Sequence, residues 1–293
     1  MSAAVTTSRR VVYRTRGHVH GPVTRLMSPS DLGELLKPLV FLDIFSLSDS
    51  SKSPFDLHPH SGIATVTVFT EGDASFDDGQ GSSGTIGYGG VEWMRAGRGV
   101  WHGKELGAGH SKGLQGFQLW LALPADLELA DAESQYLKAA SIPEVGPARL
   151  IIGRYDGQQS PVRAQAGVNY LIVTLKPGES WRYETPAGQT VGWLAVSSGE
   201  VMLDAPASAG EMIIFDDSDR AIEMRSTGVV DAKLVIGSAA PHPHSLHLGN
   251  YSVHTSAEAL KAGERRIMDL HKELIERERQ LPPHSSGPVP VLR

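Results

Sequence analysis

The sequence predicts an all-β protein: two successive barrel-like units followed by one C-terminal α-helix. Three observations predict it. Short apolar or β-branched runs recur along the chain, each stopped by glycine or proline, and Gly 32 and Pro 18 among 293 residues supply those stops. The second half repeats the style of the first, which gives two units of about 100 residues each. One late stretch, residues 257–281, carries apolar residues at helical spacing instead.

The elements follow in order. Residues 11–13 alternate as a strand does, and residues 39–45 (LVFLDIF) are apolar except for Asp43. Residues 63–69 (IATVTVF) are rich in β-branched side chains and end at the turn Glu71-Gly72. Residues 85–88 and 91–94 are split by Gly89-Gly90, and residues 116–123 stop at Pro124. Residues 125–162 are more polar and contain Pro143, Pro147 and Pro161. They are read as the connection, which sets the units at 10–125 and 166–281 with a linker at 126–165. Strands resume at 170–175, 191–197, 200–203, 212–215 and 234–236. In the helix, Leu260, Ile267, Leu270, Leu274 and Ile275 form the apolar stripe. Thr255 or Ser256 caps it, Gly263 is a break in its first turns, and Pro282-Pro283 ends it. The tail 284–293 is assigned no function.

Composition excludes several classes. The net charge of −6 argues against nucleic-acid binding as the main task, because such binding needs a basic face. Cysteine is absent, so disulfides, thiolate zinc sites and thiol nucleophiles are excluded. No window approaches a membrane span, and the polar N-terminus shows no signal peptide. The expectation is a soluble protein of the cytoplasm, or of the nucleus in a eukaryote.

The chemistry-bearing constellation is His58-Pro59-His60, with His102 some forty residues on. Alternate side chains of a strand share a face, so the first two imidazoles reach one point. Pro59 fixes φ and removes a ladder hydrogen bond, which suits a strand start or edge. His102 follows the turn AGRG at 96–99 and arrives on a neighbouring strand, about 4.8 Å away. Glu105 is the nearest carboxylate after it. Three neutral imidazoles and a carboxylate suit a divalent first-row metal: iron, manganese, nickel, copper or zinc. A lone histidine is ordinarily a surface or satisfied core residue. The pair at the start of a β-branched strand, joined by a third after a glycine turn, favours a metal centre.

At these residues the sequence resembles the pirin family of bicupins. The resemblance is carried by LDIF at 42–45, HPHSG at 58–62, ATVT at 64–67 with Glu71-Gly72, EWMRAGRG at 92–99, His102 and GFQLW at 116–120, and more faintly by HLGNYSVH at 247–254. It implies two cupin barrels of jelly-roll type with one mononuclear metal in the first, Fe(II) foremost, and nickel, manganese, copper or zinc as alternatives. The family's ligands map to His58, His60 and His102. Its glutamate stands two residues after the third histidine, where this chain has Lys104, and Glu105 is one further on. Strand register would point Lys104 inward, and a bulge eased by Gly103 would bring Glu105 to the ion as fourth ligand; otherwise the ion has three histidines and water. Ala64 stands where pirins usually have glutamate. The second barrel has Glu184, Thr185 and Pro186 near where ligands would lie, and is expected to be metal-free. His242-Pro243-His244 with His247 imitates the metal motif but is read as a solvated loop, and Trp93, Trp101 and Trp120 are read as core packing.

The activity implied is that of a quercetin 2,3-dioxygenase, opening a flavonol ring with dioxygen and releasing carbon monoxide. Glu105 would serve as the base that takes the flavonol proton. The partners are then a flavonol-like small molecule and dioxygen, without membrane or direct nucleic-acid contact, on a monomer. The alternative is a non-enzymatic metal-binding regulatory protein that acts on a transcription factor or metabolic enzyme through protein contact.

Overall fold

The computed structural model describes residues 8–48, 57–77, 82–103 and 106–280. Among these residues, two seven-stranded antiparallel sheets form the frame. The first runs Glu133–Leu137, Val91–Arg95, Ile63–Glu71, Leu114–Ala122, Leu39–Leu47, Val23–Met27 and His18–His20 in spatial order. The second runs Val11–Thr15, Met212–Phe215, Val191–Ser198, Ala232–Ala239, Val168–Leu175, Ala148–Ile152 and Glu144–Val145. Period-2 alternation gives each sheet two buried faces. Leu42, Ile44, Val66, Val68, Leu119 and Leu121 of the first sheet meet Tyr170, Ile172, Trp193, Met212 and Val235 of the second in one shared core. Each fully buried Leu, Ile or Val there contributes about 1.5–3 kcal/mol.

The outer face of each sheet is the inside of a barrel. In the C-terminal unit, Leu171, Leu194, Ile213 and Ile236 pack against Tyr183, Val201, Ile222 and Met224. Those four come from a smaller four-stranded sheet. In the N-terminal unit, Phe45, Phe69, Phe76 and Ile86 fill one end. Phe41, Ile63, Met94, Val100 and Trp120 fill the other.

The chain crosses between units more than once. Val11–Thr15 pairs with Met212–Phe215 in the C-terminal sheet. Glu133–Leu137 is an edge strand of the N-terminal sheet, and Ala148–Ile152 pairs in the C-terminal one, so residues read as a linker hold strands of both. The C-terminal segment then returns: Ser61 bridges Ser252, and the helix Ala257–Gln280 lies against the N-terminal unit. The Ser256 hydroxyl accepts the Ala259 N–H at 3.1 Å and so caps that helix, while Thr255 is occupied elsewhere. The helix runs unbroken through Gly263, contrary to the expected interruption. The glycine faces Ser61 and His254, and a Cβ there would lie 2.4 Å from Ser61 Oγ. Ile267, Leu270 and Leu274 are buried, whereas Ile275 is half exposed at the far end of the stripe. No described helix is long and apolar enough to cross a membrane. The tail 284–293 lies outside the described residues.

Candidate metal centre

The three histidines lie on one two-stranded antiparallel ribbon. His58–His60 pairs with Val100–His102, with His102 opposite His58 and Val100 opposite His60. Alternation then sends the imidazoles to one face and Pro59 and Trp101 to the other. That second face is clamped by the C-terminal helix. Trp101 Nε1–H donates to the Ile267 carbonyl at 2.9 Å, and its ring stacks on His271 with centroids 4.7 Å apart. The ribbon ends at Gly103, whose φ of 130° other residues avoid.

One donor atom from each of His58, His60 and His102 lies within 4.8 Å of the others. Ring centroids are 4.8 Å apart for His58 and His60, 4.5 Å for His58 and His102, and 5.1 Å for His60 and His102. His60 is fully buried, His102 nearly so, and His58 opens to a cavity. His60 Nδ1 lies 3.0 Å from the Tyr251 carbonyl oxygen. A carbonyl only accepts, so Nδ1 carries the proton and Nε2 presents a lone pair. That buried Nε2 has no hydrogen-bond partner among the described residues. Burial, together with His102 and His58, holds the His60 imidazole well below its ordinary pKa, so it stays neutral. A neutral imidazole oriented through its other nitrogen is the form that ligates metal, and the donor set fits a divalent ion. Glu105, the expected carboxylate, lies outside the described residues.

The cavity has a volume of about 820 Å³. Phe41 and Trp120 stack 4.0 Å apart at 7° and form one wall, with the Trp120 ring edge-on to His60 at 4.8 Å. Beside them, on the same face of the sheet, Arg25 and Asp43 form a two-point ion pair at 2.5 and 3.1 Å, and the guanidinium lies 4.1 Å over the Phe41 ring. Burial pushes the Asp43 carboxyl up and outweighs the pull of Arg25. Residues 249–253 close the remaining side.

The other residues singled out from sequence take varied places. Trp93 is core, Trp101 holds the helix, and Trp120 is both packed and at the cavity wall. Ala64 points with Val66 and Val68 into the core between the sheets, away from the face shared by Thr65 and Trp120. His242 is not solvated: it is 8% exposed, its backbone N–H donates to the Lys37 carbonyl, and its ring lies 5.5 Å from that of His244. Its burial comes from a contact no local pattern encodes. Glu184 pairs with Arg182, and Thr185 donates to the Arg220 carbonyl.

Two residues escaped the sequence reading. Arg25 gave no signal beyond alternation in its strand. Glu92 sits between the core residues Val91 and Trp93, so period 2 alone points it into the N-terminal barrel, where it is 2% exposed.

Comparison with known proteins agrees with this geometry. A family model described as Pirin matches residues 22–121. A pirin-like protein of Caulobacter vibrioides is 30% identical over 232 residues, covering 75% of this chain and 81% of that protein. A Pseudomonas aeruginosa protein, provisionally named as a quercetin 2,3-dioxygenase, is 28% identical over 233 residues with the same coverage, 75% and 81%. The crystal structure of a quercetin 2,3-dioxygenase from Acinetobacter baumannii superposes with a TM-score of 0.76 over 90% of this chain and 97% of that one. Its identity of 23% makes that likeness one of fold. A likeness that runs through most of both chains, on the same two-barrel architecture, places this chain in the pirin family.

Proposed function

We propose that the chain is a metal-dependent dioxygenase of the quercetin 2,3-dioxygenase type. His58, His60 and His102 hold one divalent ion, Fe(II) foremost, and the substrate is a planar hydroxylated aromatic of the flavonol class. The observation that carries this reading is the meeting of three imidazoles at the edge of a cavity of about 820 Å³, a volume that suits a three-ring molecule. The name of the Pseudomonas aeruginosa relative supports the same activity.

When bound, the ion supplies redox and Lewis-acid chemistry toward dioxygen and the substrate's enol oxygens. The chain's own residues bind and orient. The Phe41–Trp120 stack offers a flat apolar surface to a flat ring system. Next to that surface, Arg25 and Asp43 line the same cavity and offer a donor and an acceptor to ring hydroxyls. Held by that wall and this polar pair, the substrate's reacting carbons stay beside the three histidines, which lowers the entropic part of the barrier. Residues 249–253 shield that face from water. Glu105 is assigned as fourth ligand and as the base that takes the substrate's hydroxyl proton.

The test begins with metal content. Wild-type protein is expected to hold about one equivalent of ion, and His58→Ala to lose most of it. Loaded with Fe(II), the wild type should consume dioxygen with quercetin and bleach its visible absorption, and His58→Ala should not. Metal binding without turnover on any flavonol would favour the second reading, a regulatory protein acting by contact. Leu248 and Tyr251, 41% and 46% exposed at the cavity rim, are the surface that reading would use.

A further inference from the structure

Behind the metal ribbon lies a buried hydrogen-bonded chain that the proposed reaction does not use. Glu128 is 3% exposed, His254 1% and Ser61 fully buried. The Glu128 carboxylate accepts the Thr255 N–H at 2.7 Å and the Thr255 hydroxyl at 2.6 Å. Its Oε2 also lies 3.0 Å from His254 Nδ1. A carboxylate only accepts, so His254 Nδ1 carries a proton, and Nε2 is turned to the Ser61 hydroxyl at 2.9 Å. Ser61 and Ser252 hydroxyls are hydrogen-bonded at 2.9 Å, and the Val253 N–H donates to the Ser61 carbonyl at 3.2 Å.

Every link joins distant parts of the chain. Glu128 lies between the strands Leu114–Ala122 and Glu133–Leu137 of the N-terminal sheet, Ser61 is next to His60, and His254 belongs to the returning C-terminal segment. The segment so pinned carries Tyr251, whose carbonyl accepts the hydrogen bond from His60 Nδ1–H. Backbone fits closely here: a Cβ on Gly62 would lie 2.0 Å from the Val253 carbonyl oxygen. The arrangement has the order carboxylate, imidazole, hydroxyl, but Ser61 is fully buried and its hydroxyl is taken up by Ser252 and His254, so it holds position and does not attack a substrate.

We propose that Glu128, His254 and Ser61 are positioning residues that lock residues 251–253 against the H-P-H strand, so that the Tyr251 carbonyl fixes the tautomer and tilt of His60 and thereby sets the affinity for a divalent ion. The proposal rests on reading the three histidines as the metal site. Partners that orient a ligating imidazole typically matter by 10–100-fold in metal affinity. One step further out, about tenfold is expected.

The experiment uses full-length apo protein, Ni(II) as the probe and calorimetric titration, with the variants Glu128→Gln, His254→Ala and Ser61→Ala. Nitrogen-15 NMR of histidine-labelled apo protein reads the His60 tautomer directly. The wild type should show His60 protonated at Nδ1 alone. The variants should bind Ni(II) about tenfold more weakly and show His60 exchanging between tautomers. Asp73→Asn, which loosens a surface loop of the same barrel, should lower the melting temperature without moving either readout. Ser61→Ala removes a single oxygen and carries the test if the larger changes do not fold. Unchanged Ni(II) affinity in a folded variant overturns the proposal, as does a wild-type His60 protonated at Nε2, or an equal loss in Asp73→Asn. If the wild type itself binds no Ni(II) and His58→Ala matches it, the metal reading fails first, and the tautomer spectrum still reports on the relay.

Discussion

Gly263 sits inside a helix, where alanine is ordinarily better by about 1 kcal/mol. Here the sign reverses. A Cβ would stand 2.4 Å from Ser61 Oγ and 2.6 Å from His254 Nε2, two atoms that hydrogen-bond each other and are held from behind by Ser252 and Glu128. Gly263→Ala is therefore expected to destabilise by about 1–3 kcal/mol, the usual range for overpacking. Urea denaturation checks it, and a more stable variant would mean that the helix lies further from the ribbon. The same residue-scale logic explains His60. Its value as a ligand comes from the carbonyl on its other nitrogen and from burial, which together leave it neutral with one orientation. His58→Ala removes a donor atom but little packing, so its expected effect is loss of metal with the fold retained.

At the scale of elements, the loop at 110–111 shows how one carboxylate ties a turn to a strand. Asp73, at the start of Asp73–Asp77, accepts the N–H groups of His110 and Ser111 at 3.1 and 2.8 Å and the Ser111 hydroxyl. The Ser111 hydroxyl, with the His110 bonds, holds the Asp73 carboxyl well below the usual range. A carboxyl depressed in the folded state adds stability above its unfolded pKa, near 4, and loses it as pH falls through the folded value. The urea midpoint of the wild type should fall as pH drops below about 4, and Asp73→Asn should flatten that slope while lowering the midpoint at pH 7. Equal acid slopes in the two proteins would remove Asp73 from the account. The C-terminal helix is the other decisive element. Its N-terminal part clamps the ribbon of His58–His60 and Val100–His102 through Trp101 and Ile267, whereas its last turns carry Ile275 to solvent.

Over the whole molecule, the two units are laced together. An N-terminal strand completes the C-terminal sheet, a C-terminal segment completes the N-terminal site, and a shared core lies between the sheets. Tyr88 and Thr174 hydroxyls at 2.6 Å, and those of Thr70 and Ser197 at 2.6 Å, join the units further. Calorimetry is expected to give one transition, with van't Hoff and calorimetric enthalpies equal, and a fragment of residues 10–125 is expected not to fold. Two separable transitions would show that the lacing is energetically minor.

The sequence by itself determined the elements and the core of the site. Strand alternation, glycine stops and the capped amphipathic stripe are readable because each depends on neighbours a few residues apart. The H-P-H pair could be placed with His102 because alternate residues share a face and adjacent strands lie within reach. Tertiary structure alone decided the rest. The Tyr251 carbonyl on His60 spans 191 residues, and the Glu128–His254 contact spans 126. The pairing of Arg25 with Asp43 at the cavity, the burial of His242 and the seating of Ala64 in the core between the sheets also follow from how sheets and segments pack. Local patterning specifies which face a residue takes, but the opposing group comes from whichever distant segment the fold brings there, and no periodicity records that meeting.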